Sequence, residues 1–314
     1  MESQQGSICD VSGIRVGHAQ DDQAKTGCTV IIPNEGVLGG IDIRGSAPGT
    51  REVESLKPVR LVSHVHAIFF TGGSAFGLNA SGGVQKFLEE RNIGYDVGGT
   101  KIPIVPSLVI FDLREGGASV RPGEKMGYTA ALNASREHPQ EGRAGAGRGA
   151  TVGKLFGQQY AMKGGIGTCS EKIGDVTVGA LAVVNAFGNI VDPKTGETLA
   201  GAKDPDSGQL LDFEKNVRNL PSEPNSATGQ TGANTTLALV ATDAGLNKEE
   251  AIKVAEMAQD GLCRAIRPAH TFFDGDAVIC ISTGNKPANH VTLGTVAADL
   301  VAGAIVRAVT IANV

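Results

Sequence analysis

The 314-residue sequence contains no tryptophan, and aromatic residues make up only 4% of it. The core must therefore be built from Ala, Val, Ile and Leu. Basic residues are outnumbered by acidic ones, which gives a net charge of −5 and a pI near 5.7. This balance argues against nucleic acid or an anionic membrane as the main partner. Glycine is in excess, with 44 residues, about twice the usual share, and it suits tight connections between closely packed strands.

The five cysteines lack the Cys-x-x-Cys spacing, which disfavours a zinc site and thioredoxin chemistry. Their scatter and odd number indicate buried reduced thiols, and we expect a cytoplasmic protein. Residues 1–5 lack the basic and apolar regions of a signal peptide. The longest apolar tract, 291–314, contains Asp299 and Arg307, so we expect a buried helix rather than a membrane span.

Several other chemistries lack the residues that they need. His64 and His66 share a face of a predicted strand but have no third ligand nearby, and we expect neither a metal nor a cofactor. A Gly-x-Ser-x-Gly nucleophile elbow is absent. Residues 147–154 superficially resemble a phosphate loop, but Arg148 replaces a required glycine and Leu155 replaces the hydroxyl that binds magnesium.

Short apolar runs alternate with glycine-rich turns over the first two thirds of the chain, and helical periodicity is clearest after Leu246. Asn247 followed by Glu250 resembles a capping box, and a second helix is expected from Ser74. These patterns predict a layered α+β sandwich. Two segments are expected to be exposed connections, namely 134–150 and 203–232. The predicted strands are 28–32, 66–70, 104–111, 176–184, 236–242 and 277–282.

The segment of greatest chemical interest is Gly232-Ala233-Asn234-Thr235-Thr236, directly before an apolar run that is predicted to be a buried strand. The threonine hydroxyl can attack the preceding carbonyl and break the Asn234–Thr235 bond. Thr235 would then be a new amino terminus whose α-amine could activate its own hydroxyl. A long polar loop before Thr235 would allow a cleavable geometry. The simpler alternative is a strand that begins with β-branched residues, as many strands do.

Two further motifs each have a chemical and a structural interpretation. Asp274-Gly275-Asp276 precedes another apolar run, so its carboxylates could lie at the mouth of the strand next to that of Thr235; the alternative is a simple turn. Gly72-Gly73-Ser74 lies between a predicted strand and a helix and could shape an anion site at a helix N-terminus. The alternative is a glycine turn with Ser74 as the N-cap.

The chain resembles the self-cleaving aminopeptidases, the family that includes the L-aminopeptidase/D-esterases and β-aminopeptidases. Its motifs are most similar to those of the nylon-oligomer (6-aminohexanoate oligomer) hydrolases. The resemblance extends over nearly the whole chain and rests on motifs that occur in the same order. They are Thr71-Gly72-Gly73, Gly142-Arg143-Ala144-Gly145-Ala146-Gly147, Gly153-Lys154, Asn185, Gly232-Ala233-Asn234-Thr235-Thr236, and Arg267-Pro268-Ala269-His270 before Asp274-Gly275-Asp276.

The resemblance implies a four-layer αββα sandwich of the N-terminal-nucleophile-like aminopeptidase and ornithine acetyltransferase type. It implies one catalytic domain, residues 1–314, cut into an α chain (1–234) and a β chain (235–314) that stay together in a homo-oligomer. Thr235 would be the nucleophile of both self-cleavage and catalysis.

The resemblance also assigns roles to the residues around the nucleophile. Asp274 and Asp276 would orient and polarise Thr235, Lys154 would tune its protonation, and Asn185 would donate to the oxyanion. Loss of one oxyanion donor typically costs about 10²–10³ in rate. Two carboxylates so close repel each other, so one is expected to hold a proton unless a cation such as Lys154 lies between them.

The substrate implied is a small peptide or amide with a free amino terminus, or a linear ω-amino acid oligomer. The candidate substrate-binding residues are Gly72, Gly73, Ser74 and Phe111. Phe111 is a departure, because relatives of the nylon-oligomer branch carry a tyrosine there, and this concerns the identity of the substrate rather than hydrolysis. Two alternatives are an acyltransferase of the ornithine acetyltransferase type and a non-enzymatic protein that binds a small molecule.

Overall fold

The computed structural model describes residues 6–218 and 233–314. Its helices are α1 (Ser81–Glu89), α2 (Glu124–Leu132), α3 (Phe213–Val217), α4 (Lys248–Ala265) and α5 (His290–Ala312). Its strands are β1 (Ile14–Asp21), β2 (Thr26–Pro33), β3 (Val37–Ile43), β4 (Thr50–Arg51), β5 (His64–Val65), β6 (Ile68–Thr71), β7 (Tyr95–Val97), β8 (Thr100–Ile102), β9 (Ser107–Val109), β10 (Thr151–Val152), β11 (Met162–Lys163), β12 (Gly165–Ile173), β13 (Val176–Asn185), β14 (Asn189–Val191), β15 (Thr198–Ala200), β16 (Thr235–Ala244), β17 (Ile266–Arg267) and β18 (Ala277–Lys286).

A six-stranded sheet in the order β12-β13-β16-β18-β3-β5 forms the centre of the fold. Strand β16 pairs antiparallel with β13 and parallel with β18. Because β16 and β18 run in the same direction, the residues that precede them meet at one edge of the sheet. The carboxyl end of β13 lies at that same edge.

All ten residues of β16 are buried, because both faces of the strand are covered. Ala238 and Val240 point into a cluster with α4 and α5. Leu237 and Leu239 belong to a second cluster, which also contains residues of the five-stranded sheet. A strand covered on both faces is a continuous apolar run rather than an alternating one.

The second large sheet has the order β1-β2-β6-β9-β4. Helices α1 and α2 pack on this sheet through Phe87, Leu88 and Ala130, which form a third cluster with Val30 and Phe69. The sheet-rich architecture is therefore mixed α/β, with apolar residues on both sides of each large sheet.

The predicted strands all occur, although their bounds change. The predicted strand 104–111 is only Ser107–Val109, since Pro106 lacks the N–H that a ladder needs. The capping box of α4 is present, with the Asn247 side chain accepting from the Glu250 amide and the Glu250 carboxylate accepting from the Asn247 amide. The helix expected from Ser74 is a 3₁₀ segment, Ser74–Ala80, that leads into α1.

The expectation of an exposed connection at 134–150 was wrong for its second half, because residues 142–150 are mostly buried. Polar side chains of the first hairpin satisfy the backbone there: Thr29 Oγ1 accepts from the Ala146 amide at 3.0 Å. A Cβ on Gly147 would lie 2.5 Å from the Ile166 nitrogen, so glycine is required for this close approach. Of the segment 203–232, residues 219–232 lie outside the described part of the chain.

Helix α5 is long and apolar enough to cross a membrane by length and composition, with a mean hydropathy of 1.7. More than half of this stretch, 56%, is buried inside the fold, where Leu300 and Ile305 contact the cluster over the six-stranded sheet. All five cysteines are free thiols, but Cys263 is exposed, which corrects the expectation that they are all buried.

Candidate active site

The sheet register brings the predicted site residues to one edge. Asn185, the last residue of β13, is paired with Thr235, the first residue of β16. An isolated parallel bridge joins Asn234 to Asp274, just before β18. The prediction that the carboxylates flank the strand next to that of Thr235 is therefore confirmed.

The Thr235 hydroxyl lies against the peptide bond that precedes it. Thr235 is only 5% exposed, and its Oγ1 donates to the Asn234 carbonyl oxygen at 2.5 Å. The same oxygen accepts from the Gly275 amide at 2.9 Å. The Gly275 amide can therefore stabilise a negative charge that develops on this oxygen, and the hydroxyl lies beside the same carbonyl.

Gly275 permits this contact because it has no side chain. A Cβ at this position would lie 2.8 Å from Thr235 Oγ1 and 2.6 Å from the Ala47 carbonyl oxygen. Any other residue would have to move either the hydroxyl or the neighbouring loop. The glycine between the two aspartates is therefore part of the site's geometry.

Lys154 is buried, with 2% exposure. Its Nζ donates to Asn185 Oδ1 at 2.8 Å, to the Asn185 carbonyl at 3.1 Å and to the Ala233 carbonyl at 3.4 Å. Burial lowers its pKa from 10.5 to about 7, with the charge of Asp274 opposing this shift. An amine with this pKa can both take up and release a proton near neutral pH.

Asn185 is held in one orientation by four partners. Its Oδ1 accepts from Lys154 and from the Thr151 amide at 3.0 Å. Its Nδ2 donates to the Phe111 carbonyl at 3.1 Å and to the Ala233 carbonyl at 3.3 Å. In the uncut chain the amide donor that we predicted for the oxyanion is thus occupied by the residue before Asn234.

The two carboxylates are both 1% exposed and have different partners. Asp274 accepts from Thr271 Oγ1 at 2.5 Å, from the Thr271 amide at 3.0 Å and from the Phe187 amide at 3.3 Å. All three donors are neutral. Burial, followed by the charge of Asp276, raises the pKa of Asp274.

Asp276 has an imidazole ring as a neighbour instead. Its Oδ1 accepts from the Thr236 amide at 2.7 Å, and its Oδ2 lies 2.9 Å from His270 Nδ1. Burial opposes the charge on His270, but the hydrogen bond with Asp276 raises the pKa of His270 to about 9. We expected Lys154 between the carboxylates, but among the described residues Lys154 forms no ion pair with either. The group that contacts Asp276 is the His270 ring.

The predicted substrate-binding turn contacts another carboxylate of the protein. The Gly73 amide donates to Asp112 Oδ1 at 2.7 Å, and the Ser74 amide donates to the Ile110 carbonyl. Both amides already have internal acceptors, and Gly73, not Ser74, is the N-cap. A role for Gly72, Gly73 and Ser74 in binding substrate stays a prediction.

Phe111 lies at the candidate site itself. It lines a small cavity with Lys154, Ala233, Glu115 and other residues. The Arg114 guanidinium lies 5.7 Å from the centre of the Phe111 ring. Phe111 therefore presents a ring without a hydroxyl to the cavity that Lys154 and Ala233 line.

Sequence reasoning missed two groups, the Gly275 amide and the His270 ring. Both lie in motifs that the resemblance used, and a histidine four residues before an Asp-Gly-Asp segment was the available signal. Among the residues that the structure describes, no group of three or more His, Cys, Asp or Glu side chains could hold a metal ion.

Comparisons with known proteins identify the family of the chain. The family model of peptidase family S58 matches residues 6–314. An uncharacterized aminopeptidase of Mycobacterium tuberculosis is 43% identical over 296 residues, which cover 88% of this chain and 81% of that protein. A 6-aminohexanoate-oligomer endohydrolase of Kocuria sp. is 29% identical over 312 residues, 95% of this chain and 84% of that one.

A solved structure shares the fold. The L-aminopeptidase D-Ala-esterase/amidase of Ochrobactrum anthropi, described as a variant of the Ntn hydrolase fold, has a TM-score of 0.69 and 19% identity. The likeness covers 96% of this chain and 85% of that one. At this identity the likeness shows the fold alone.

Proposed function

Since the chain belongs to peptidase family S58 and is therefore an amide-bond hydrolase, we propose that it activates itself by cutting the Asn234–Thr235 bond and then uses Thr235 as its nucleophile. One observation carries the proposal. The Thr235 hydroxyl and the Gly275 amide contact the same Asn234 carbonyl oxygen, so attacking group and oxyanion donor are already assembled around one peptide bond.

Self-cleavage proceeds in two steps. The Thr235 oxygen bonds to the Asn234 carbonyl carbon, the C–N bond breaks, and the proton of the hydroxyl passes to the departing Thr235 nitrogen. Lys154 is the group proposed to carry that proton, since its pKa lies near neutrality. Water then hydrolyses the ester, which restores the hydroxyl and leaves an Asn234 carboxylate and a free Thr235 α-amine.

Turnover of a separate substrate repeats the same attack. The new α-amine titrates near 7.7–8.0 in the ordinary case and can accept the hydroxyl proton. When Ala233 leaves its place, the donors that held its carbonyl, Lys154 Nζ and Asn185 Nδ2, become free to bind a substrate carbonyl. The same donors would thus serve first the chain's own peptide and then the substrate.

The proposed substrates are small peptides or amides with a free amino terminus, or linear ω-amino acid oligomers. The greater identity to the mycobacterial aminopeptidase than to the Kocuria endohydrolase, 43% against 29%, favours the first class. The family assignment argues against a non-enzymatic binding protein. Partition of the acyl group between water and an added amine separates a hydrolase from an acyltransferase.

The proposed architecture is one cytoplasmic catalytic domain in which the layers form an αββα sandwich. The three hydrophobic clusters support this order of layers. Both pieces of a cut chain must share a large apolar interface, and the burial of β16 on both faces supports their staying together. We propose a homo-oligomer of this unit; a light-scattering mass near 32 kDa would contradict it.

Intact-mass measurement of the denatured protein tests the proposal. We expect two pieces, residues 1–234 and 235–314, and a single uncut chain for Thr235→Val. The control is Thr242→Val, which removes a buried hydroxyl farther along the same strand and should still be cut. Cleavage at another bond, or an uncut wild-type chain that is fully active, would falsify the proposal.

A further inference from the structure

The two aspartates of the Asp-Gly-Asp segment are not equivalent. Asp274 is surrounded by neutral donors from Thr271 and Phe187. Asp276 contacts a ring that can carry a positive charge, at 2.9 Å. In a buried pair of carboxylates, a cation beside one member decides which of the two is ionised.

His270 is fixed to Asp276 by two contacts to a single oxygen. Its backbone amide donates to Asp276 Oδ2 at 3.0 Å, and its ring Nδ1 lies 2.9 Å from the same atom. The residue has a left-handed backbone with φ of +56°, which is uncommon outside glycine. This unfavourable backbone angle lets both donors of one residue face the carboxylate.

The surroundings of His270 favour its charged form. Burial opposes the charge, since the side chain is only 14% exposed and the ring Nε2 is buried, but two neighbouring groups oppose this effect. The titratable groups that face it are the Asp276 carboxylate and the Cys263 thiol of α4. Both favour the protonated ring.

The far oxygen of Asp276 connects this pair to the nucleophile. Asp276 Oδ1 accepts from the Thr236 amide at 2.7 Å, and that amide belongs to the peptide that follows Thr235. An ionised Asp276 holds this peptide strongly, because hydrogen bonds to a charged acceptor are about twice as strong as neutral ones. The position of Thr235 therefore depends on the charge of Asp276.

We propose that His270 is a positioning residue that keeps Asp276 ionised and confines the proton of the carboxylate pair to Asp274. The charged groups that face Asp274 are Asp276 and, at longer range, Lys154. In this arrangement Asp276 anchors the start of β16 through the Thr236 amide, and Asp274 and Lys154 are the groups near Thr235 that change protonation. The inference rests on the proposed function of Thr235.

Proton NMR of the histidine rings tests the charge directly and needs no activity. The chain has six histidines, and the signal of His270 is identified by its loss in His270→Asn. We expect the ring to titrate near pH 9 in the wild type and at a clearly lower pH in Asp276→Asn, since only Cys263 then opposes the effect of burial. A wild-type His270 that titrates at 6.5 or below overturns the proposal.

The pH profile of self-cleavage and turnover tests the positioning role. Asparagine adopts the left-handed region readily and keeps a neutral amide donor, so His270→Asn removes mainly the charge. We expect the acid limb of its profile to move to higher pH by about one unit or more, the usual effect of losing a nearby opposite charge. An unmoved limb in a folded variant overturns the proposal.

The matched control is His138→Asn, because His138 also pairs with a carboxylate, Glu141, at 3.0 Å, away from the site. Its acid limb should stay where it is in the wild type. A wild type that neither cuts itself nor hydrolyses amides contradicts the proposed function instead, and the NMR titration still decides the state of His270.

Discussion

Strands β16 and β18 have a near end, next to Thr235, and a far end, next to Asp243 and Lys286. Aspartate and lysine side chains lie at both ends, but in different electrostatic settings. At the far end, Asp243 accepts from the Lys286 ammonium at 2.6 Å and from the Thr177 amide at 2.8 Å. Lys286 is 42% exposed. At the near end, Lys154 is buried and, among the described residues, has no carboxylate in ion-pair contact.

This difference shows what separates a structural polar cluster from a reactive one. A lysine paired with a carboxylate and open to water remains a fixed charge. A lysine enclosed by carbonyls and an amide loses most of its preference for the proton, since desolvation penalises the ammonium. The near end thus differs from the far end because its lysine is buried and has no carboxylate in ion-pair contact among the described residues, and not because its residue types differ.

The largest expected effect is a difference between the two lysines, Lys154 at the near end and Lys286 at the far end. Lys154→Met should slow self-cleavage by about 10²-fold or more, the usual size of a lost general acid or base. Lys286→Met should leave the cleavage rate within about twofold but lower the melting temperature, because it leaves the buried Asp243 carboxylate without its cation. Time-resolved intact mass and thermal melts measure both.

Equal loss of cleavage in the two lysine variants would show that the two ends do not differ in the way proposed. Rapid cleavage in Lys154→Met would remove Lys154 from the mechanism.

The next effect concerns the aspartates at the two ends. Asp274→Asn and Asp276→Asn should each reduce self-cleavage and turnover by about 10-fold to 10²-fold while the protein stays folded, since both carboxylates hold groups around Thr235. Asp243→Asn should lower the melting temperature without changing activity per folded molecule. Circular dichroism melts and turnover on the three variants decide between the roles.

If the Asp-Gly-Asp segment is only a turn, the pattern reverses. Asp274→Asn and Asp276→Asn would then melt at lower temperature and keep full activity per folded molecule.

A smaller effect is expected from Gly275→Ala. The added Cβ would lie 2.8 Å from Thr235 Oγ1, so the hydroxyl must shift, and we expect self-cleavage to slow by about 10-fold as the alignment of attack is lost. Gly123→Ala is the control, because a Cβ there would meet no atom within 4 Å. Cleavage at the wild-type rate in Gly275→Ala would show that this close approach has no role.

The smallest effect is expected from a substitution of Phe111, which lines the cavity at the near end. Phe111→Tyr adds a hydroxyl to the cavity beside Lys154, at the position where the motif resemblance predicts a phenol. We expect KM for small amides to change by a few fold, with self-cleavage unchanged, since the Phe111 backbone contact to Asn185 is kept. A matching change in self-cleavage would place Phe111 in the cleavage step itself.

Much of this near end could be predicted from the sequence. The apolar runs after Thr235 and Asp276 predicted two buried strands, and the motif resemblance placed Lys154 and Asn185 beside them. The capping box of Asn247 and Glu250 located the start of α4. These features are local, since each depends on spacing within a few residues or on a motif read in order.

The remainder depends on contacts between distant segments. The burial of residues 142–150 requires Thr29 and Ile166 to lie alongside, and no local pattern reveals that. The side chain next to Asp276 is His270 instead of Lys154, because the left-handed backbone of His270 turns its amide and its ring nitrogen to one oxygen. Such a geometry is set by the fold and not by composition.

The carbonyl of Ala233, held by Lys154 and Asn185, has a kinetic consequence for the matured enzyme. On the proposed cleavage, residues 233–234 become a product that remains covalently tied to the first chain. Covalent attachment raises the effective concentration of this product near the donors. Every molecule would then carry its own competitive inhibitor, and the apparent affinity for small amides would reflect how often this tail vacates the donors as well as how well the substrate fits them.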